Sequence, residues 1–255
     1  NAVPEAEQGM QMGRMIALLA LGIDVPGMVI NRYCGSGVEA IAIASQRIQS
    51  GMADIIIAGG TESMSMVPVM GYKTALNYKI ATENPDYYTS MGLTAEQVSK
   101  QYGISREAQD QFSFESHVKA AAAWKAGKFT AEVVPITVRE TFVGADMKKQ
   151  TREFVVATDE GIRADTTVEG LAKLKPAFAQ GGTVTAGNSS QTSDGAAFVI
   201  VMSERMMKQL NLKPVARMMS YAVAGVEPRI MGIGPVAAIP KALERAGIKL
   251  ADLDL

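Results

Sequence analysis

The 255-residue sequence contains one cysteine, one histidine and one tryptophan. A single cysteine excludes an internal disulfide and leaves that residue as either a small buried apolar side chain or a reactive thiol. With no Cys/His cluster, the usual metal-ligand spacings are absent and no metal site is expected. The lone histidine, His117, lies in Ser116-His117-Val118-Lys119-Ala120. That setting reads as the solvated face of a helix, so no Cys–His pair can be argued. No run of about 18 apolar residues occurs, so no membrane span is expected. Nor is there a charged-then-apolar leader of the secretory kind, and the expected location is cytoplasmic. Lys and Arg total 25 against 26 Asp and Glu, a formal net charge of −1. That near-balance removes any bulk attraction to nucleic acid or anionic lipid. The Gly-rich pieces match neither a P-loop nor a dinucleotide-binding fingerprint.

What remains is an ordinary globular composition, 47% hydrophobic and 20% charged. It suffices for one large domain or two smaller ones. The sequence starts at Asn1 with a helix-like stretch almost at once, and ends in Lys249-Leu250-Ala251-Asp252-Leu253-Asp254-Leu255, which reads as the approach to a strand. It reads as a partial chain.

Periodicity predicts a helix from Glu5 to Leu21, weakened by Gly9 and Gly13. Met28-Val29-Ile30 reads as a short buried strand. A helix from about Ser36 to Ser50 follows, with Ser36 and Glu39 at capping-box spacing and Gly51 at its end. Asp54 to Ala58 reads as a second buried strand, closed by Gly59-Gly60. Strand, helix, strand at this spacing predicts a βαβ unit in a parallel sheet. From Met64 the texture changes to a Met-, Tyr-, Pro- and Asn-rich stretch without a clean period. Helices are expected at about Thr94–Tyr102 and Arg106–Ala126, the second capped by Ser105. Glu132 to Asp165 is polar and strand-prone, and Val168 to Leu174 reads as a short helix. This block has the character of an insertion. The layered pattern returns with a strand at Gly195–Val201, a helix opened by Ser203, a strand-like stretch at Val215–Val226, and a helix from Pro235 to Gly247.

Cys34 is the focus of the chemistry. It follows an apolar run and stands just before a helix start, where unpaired N–H groups and the helix dipole concentrate positive potential. That setting suits a nucleophilic thiolate, and the same N–H groups suit the oxyanion of a tetrahedral intermediate. A buried cysteine beside a core helix fits the position equally well. The glycines on both sides of Ser36 tip the reading toward function, because they let substrate approach the backbone.

Several segments are recognisable together. Asn31-Arg32-Tyr33-Cys34-Gly35-Ser36-Gly37 resembles the nucleophile motif of thiolases. Ala58-Gly59-Gly60-Thr61-Glu62-Ser63-Met64-Ser65 resembles the strand end that leads into the thiolase loop domain, and Ser90-Met91-Gly92-Leu93-Thr94-Ala95-Glu96 its Met-Gly segment. Lys175-Pro176-Ala177-Phe178 and Gly182 to Ser190 are similar to that domain's coenzyme A-facing wall. Ser193-Asp194-Gly195-Ala196-Ala197 and Met231-Gly232-Ile233-Gly234-Pro235 match as well, in order, over nearly the whole chain. A β-ketoacyl synthase shares a cysteine at a helix start but lacks the Met-rich insertion and the Gly-Asn-Ser-Ser segment.

The resemblance implies an α/β, thiolase-like layered αβαβα fold, partial here, with an inserted α+β loop domain. The implied division is 1–63 with 193–212 as the N-terminal half, 64–192 as the coenzyme A-binding loop domain, and 213–255 as the start of the C-terminal half. It implies that Cys34 takes the acyl group as a thioester and passes it to coenzyme A, with degradative thiolysis of 3-ketoacyl-CoA favoured over acetoacetyl-CoA formation. Phe178, Ala186 and Ser190 would hold the pantetheine arm, Arg163 and Leu174 would lie near the adenine end, and Met91 and Met231 near the acyl pocket. Phe178 and Leu174 read also as plain core, Ser190 as a turn residue and Arg163 as a solvated charge. Coenzyme A is implied as a substrate and no bound cofactor is expected. The implied partners are acyl-CoA, coenzyme A and further copies of the chain in a homodimer or homotetramer. The family's Asn-Glu-Ala-Phe, Gly-His-Pro and second-cysteine motifs do not occur in this sequence, so the base and acid–base cysteine they carry are not among its residues. Ser193 stands in place of an Asn, Gly170 in place of a hydroxyl residue, and Ser90 in place of the His common in acetoacetyl-CoA thiolases. The Ser90 difference and Pro4 to Met10 favour the degradative type. A non-catalytic acyl-CoA-binding relative is the alternative from another class.

Overall fold

A computed structural model describes residues 2–68 and 71–254. It divides into two compact units, one of Asn1–Thr89 with Thr192–Leu255 and one of Ser90–Gln191. The chain thus leaves the first unit once, builds the second, and returns. Residues 64–89, read from sequence as part of the insertion, pack in the first unit.

In the first unit, the helix expected from Glu5 to Leu21 is split. A single 3-10 turn, Ala6–Gln8, is followed by helix α1, Met12–Ala20. Met10 and Gln11 between them take left-handed φ values of 52° and 62°, so the ladder cannot continue. The Gln11 side chain turns outward and its Oε1 accepts the Val29 N–H at 3.1 Å. That bond uses the N–H a strand at Met28–Ile30 would have donated to a neighbour, and the expected strand does not form. Instead this segment is pressed on α1. A Cβ at Gly13 would drive into the Met28 carbonyl, so the two backbones meet where only glycine fits.

Helix α2, Ser36–Gln49, forms as expected and stops before Gly51 at φ 74°. Its capping box does not form. Gly35 takes the cap position, while Ser36 and Glu39 bond elsewhere. Strand β1, Ile55–Ser63, runs on through Gly59-Gly60 beyond its expected end. After it come a short helix α3, Tyr78–Glu83, capped by the Asn77 side chain, and a 3-10 turn at Pro85–Tyr88.

The second unit holds α4, Met91–Tyr102; α5, Arg106–Lys125; β2, Ile136–Val143; β3, Lys149–Val156; and α6, Val168–Ala172. Ser105 caps α5 by accepting the Ala108 N–H, as its position predicts. β2 and β3 pair as an antiparallel hairpin from Ile136 opposite Val156 to Val143 opposite Lys149. Back in the first unit are β4, Asp194–Met202; α7, Glu204–Gln209, capped by Ser203; and α8, Gly234–Ala246, which ends at the left-handed Gly247.

β1 pairs with β4 antiparallel, from Ile55 opposite Met202 to Ser63 opposite Asp194. The parallel βαβ pairing expected from sequence is therefore corrected: both described sheets are antiparallel pairs, because the partner of β1 comes from beyond the second unit rather than from Met28–Ile30. Val215–Val226 is likewise no strand. Its polar groups bond to helices instead, with Ser220 Oγ donating to the Ala242 carbonyl at 2.7 Å and Arg245 donating to the Tyr221 carbonyl at 2.5 Å. α2 lies against β1 and β4, and its buried residues, Ser36, Ala42 and Ala44, are all small. Small side chains let helix and sheet approach closely. No helix of the described residues is long and apolar enough to cross a membrane.

Candidate active site

Cys34 sits in a 3-10 turn, Tyr33–Gly35, that runs directly into α2, and its thiol is exposed. The turn is held in a costly shape. Tyr33 has φ 45°, a region that non-glycine residues enter only when their surroundings fix them there. Three bonds do so. Asn31 Oδ1 accepts the Tyr33 N–H at 3.1 Å, Ser36 Oγ accepts the Arg32 N–H at 2.9 Å, and the Ser36 hydroxyl donates to the Tyr33 carbonyl at 2.7 Å. Ser36, expected as a helix cap, thus clips the loop ahead of the helix. The outcome is a sharp corner with Cys34 outside it and the first N–H groups of α2 beside it. Among the described residues, nothing lies within 4 Å of where a Cβ at Gly37 would be, so the space next to that helix start is open.

Arg32 reaches back along α2. Its Nε bonds the Glu39 carboxylate, which also accepts the Tyr221 hydroxyl. The Tyr221 bond, with the Arg32 bond and charge after it, lowers the Glu39 pKa against the opposing effect of burial. Burial raises the Tyr221 pKa, and the neighbouring carboxylate adds to this. The arrangement is an ionised Glu39 between one cation and one neutral donor, and it fastens the Cys34 turn and the start of α2 to the 213–255 segment. At the far end of β1, Asp194 accepts from the Ser65 N–H at 2.8 Å and the Ser65 hydroxyl at 2.6 Å, which lowers its carboxyl pKa. Met231 lies in the first unit too, half-exposed in the 3-10 stretch Pro228–Ile233 that leads into α8.

The remaining sequence-derived site residues belong to the second unit. Ala177 N–H donates to the Val184 carbonyl at 2.9 Å, and Pro176 bridges to Thr185. This antiparallel pairing joins the arm that carries Leu174 and Phe178 to the arm that leads on to Ala186 and Ser190, and Leu174 packs against Gly187. Ala186 and Ser190 are exposed, and Phe178 is 45% exposed, so Phe178 is wall rather than sealed core. Behind the wall is a polar network that sequence reading missed. Asn188 Nδ2 donates to Asp110 Oδ1 and to the Thr183 carbonyl, both at 3.0 Å, while its Oδ1 accepts the Thr185 N–H at 2.7 Å. Asp110 is 2% exposed and takes Arg106 Nε at 2.7 Å. Arg106 in turn donates to the Leu171 and Leu174 carbonyls. Met91 opens α4, exposed. Arg163 is exposed, and its backbone N–H donates to His117 Nδ1 at 3.2 Å. The lone histidine therefore props a loop of the second unit.

Two family models match in succession: "Thiolase, N-terminal domain" over residues 1–205 and "Thiolase, C-terminal domain" over 212–255. The chain is 52% identical over 255 residues to a 3-ketoacyl-CoA thiolase of Bacillus subtilis, covering all of this chain and 65% of that protein. It is 46% identical over 253 residues to an acetyl-CoA acetyltransferase of Chromobacterium violaceum, covering 94% of this chain and 62% of the relative. The crystal structure of the Bacillus anthracis acetyl-CoA acetyltransferase superposes with a TM-score of 0.85 at 40% identity, covering 100% of this chain and 65% of that one. The chain thus spans a little under two thirds of the length of these relatives, and its α/β architecture is theirs. Matched in order by both domain models, over residues 1–205 and 212–255, this chain belongs to the thiolase family.

Proposed function

We propose that the protein transfers acyl groups between 3-ketoacyl-CoA and coenzyme A, with Cys34 as the nucleophile. The observation that carries this reading is the exposed Cys34 thiol, held outside a pinned left-handed turn at the start of α2. The Cys34 thiolate attacks the C3 carbonyl of the substrate. The C2–C3 bond breaks, acetyl-CoA leaves after its enolate takes a proton, and the acyl group remains as a thioester on Cys34. The thiolate of a second coenzyme A then attacks that thioester, and Cys34 leaves as the thiolate. N–H groups at the start of α2 stabilise the charge on the attacked oxygen. The family resemblance supports Phe178, Ala186 and Ser190 as contacts of the pantetheine arm, Arg163 and Leu174 of the adenine end, and Met91 and Met231 as acyl-chain residues. The degradative direction, as in fatty acid β-oxidation, is supported by Ser90 ahead of Met91-Gly92 and by the 52% identity to a relative named 3-ketoacyl-CoA thiolase. Acetoacetyl-CoA formation is the second reading, supported by relatives named acetyl-CoA acetyltransferase. The protein acts as a cytoplasmic homodimer or homotetramer.

Thiolysis of acetoacetyl-CoA and of a longer 3-ketoacyl-CoA by the full-length protein and its Cys34→Ser variant tests this. The substitution is expected to lower kcat by a factor on the order of 10³ or more, with coenzyme A binding retained. Serine-variant turnover within tenfold of wild type removes Cys34 from the mechanism. A folded wild type that binds coenzyme A without turnover favours the non-catalytic relative. The ratio of the two substrates decides between the degradative and acetoacetyl-CoA readings.

A further inference from the structure

One face of α4 carries three contacts at helical spacing, all to the same stretch of chain. Residues 92, 96 and 99 follow an i, i+4, i+7 pattern and so lie along one stripe. At the first, a Cβ on Gly92 would drive into the Phe178 ring, so the ring rests directly on the helix backbone. At the second, the Glu96 carboxylate accepts the Thr183 N–H at 3.0 and 2.9 Å, the Thr183 hydroxyl at 3.1 Å and the Val184 N–H at 2.9 Å. At the third, Ser99 Oγ lies 3.1 Å from Thr183 Oγ1. Val184 then bonds Ala177 at the base of the Phe178 arm, and Thr183 and Thr185 bond Asn188 at the base of the Ala186–Ser190 arm. Glu96 therefore holds the Thr183–Val184 strand of the short hairpin that carries Phe178 near its turn and leads into the Ala186–Ser190 arm. Hydrogen bonds from Thr183 and Val184 outweigh burial and keep its carboxyl pKa below the ordinary value, so the group that grips is the carboxylate.

We propose that Glu96 is a positioning residue for coenzyme A: its carboxylate fixes the Thr183–Val184 turn, and through that turn the spacing between Phe178 and the Ala186–Ser190 arm. The inference rests on the thiolase reading above. It predicts an effect on coenzyme A binding rather than on chemistry at Cys34, because the hydrogen bonds of Thr183 and Val184 run to residues of the second unit: Glu96, Ser99, Gln109, Ala177 and Asn188.

The test uses the full-length protein, wild type against Glu96→Gln, with KM for coenzyme A, kcat at saturating coenzyme A, the calorimetric Kd for coenzyme A and the thermal midpoint. Gln keeps the shape but replaces one acceptor oxygen with an NH2 that faces the donors. KM and Kd for coenzyme A are expected to rise together about tenfold, with kcat within about twofold. Glu96→Asp should fall between the two. Gly92→Ala reaches the same wall from the Phe178 side. It should raise KM for coenzyme A, and adding Phe178→Leu should return part of that loss by making room. Unchanged KM and Kd in a folded Glu96→Gln protein overturn the inference, as does a loss of kcat and thermal midpoint together with KM unmoved. If Glu96→Gln fails to fold, the Gly92→Ala pair decides: no change in KM overturns it. A wild type without thiolysis overturns the thiolase reading alone, since the Kd comparison still judges Glu96.

Discussion

Ser36 shows how one side chain can matter more through its neighbours than through its own atoms. It is 8% exposed, and its hydroxyl serves both the Arg32 N–H and the Tyr33 carbonyl. Ser36→Ala strands both groups at a strained corner, which costs about 1–3 kcal/mol for an unmet buried partner. Lower stability in chemical denaturation and a changed rate of Cys34 alkylation by iodoacetamide, followed on the Cys34 peptide, are the expected outcomes. An unchanged alkylation rate would show that the corner holds without the clip. The residue scale also marks what a sequence makes visible. Cys34 stood out because a Gly-Ser-Gly run beside a helix start is chemically suggestive by itself. Glu96 and Tyr221 did not, because what makes them matter lies 87 and 182 residues away along the chain.

At the scale of elements, local signals were legible and non-local ones were not. Ser105, Ser203 and the Pro235/Gly247 pair mark the ends of α5, α7 and α8 because capping involves neighbours within a turn. The break before α1 escaped notice because it depends on Gln11 preferring a bond to Val29 over the helix ladder. The partner of β1 escaped notice because nothing in a strand's own residues says which later strand completes it. Gly13 illustrates two effects in competition. In an exposed helix, alanine would be better than glycine by about 1 kcal/mol. Here the added Cβ meets the Met28 carbonyl, a backbone atom that cannot rotate aside. Overpacking costs about 1–3 kcal/mol, so the steric effect wins. Gly13→Ala should lower the denaturation midpoint, and a stabilised variant would mean that α1 and the Met28 segment separate easily.

For the molecule as a whole, the bond from Tyr221 to Glu39 joins α2, just beyond the Cys34 turn, to the 213–255 segment, and its strength depends on charge. The Glu39 pKa is below its ordinary value of 4.5 in the folded state. A lowered pKa means that the stabilisation is present above about pH 4.5 and is lost as pH falls through the folded value. Denaturation of Glu39→Gln beside wild type should show the widest gap at neutral pH and a closing gap in acid. A gap that is constant with pH would mean that packing rather than ionisation makes the difference. The β1–β4 pairing has a consequence in time rather than in energy. Its neighbouring side-chain bond, Ser65 to Asp194, closes a loop of 129 residues. Joining such distant partners in a floppy chain is slow, and the entropy of closure grows by about 0.6 kcal/mol for each doubling of the loop. The second unit is made wholly of the intervening residues, Ser90–Gln191. Once it has condensed, most of that loop is no longer free chain, and β1 and β4 have far less space to search. The order of refolding follows: amides of α4 and α5 gain protection in pulsed hydrogen exchange before those of β1 and β4, and the strand that completes the sheet beneath α2 is among the last to arrive.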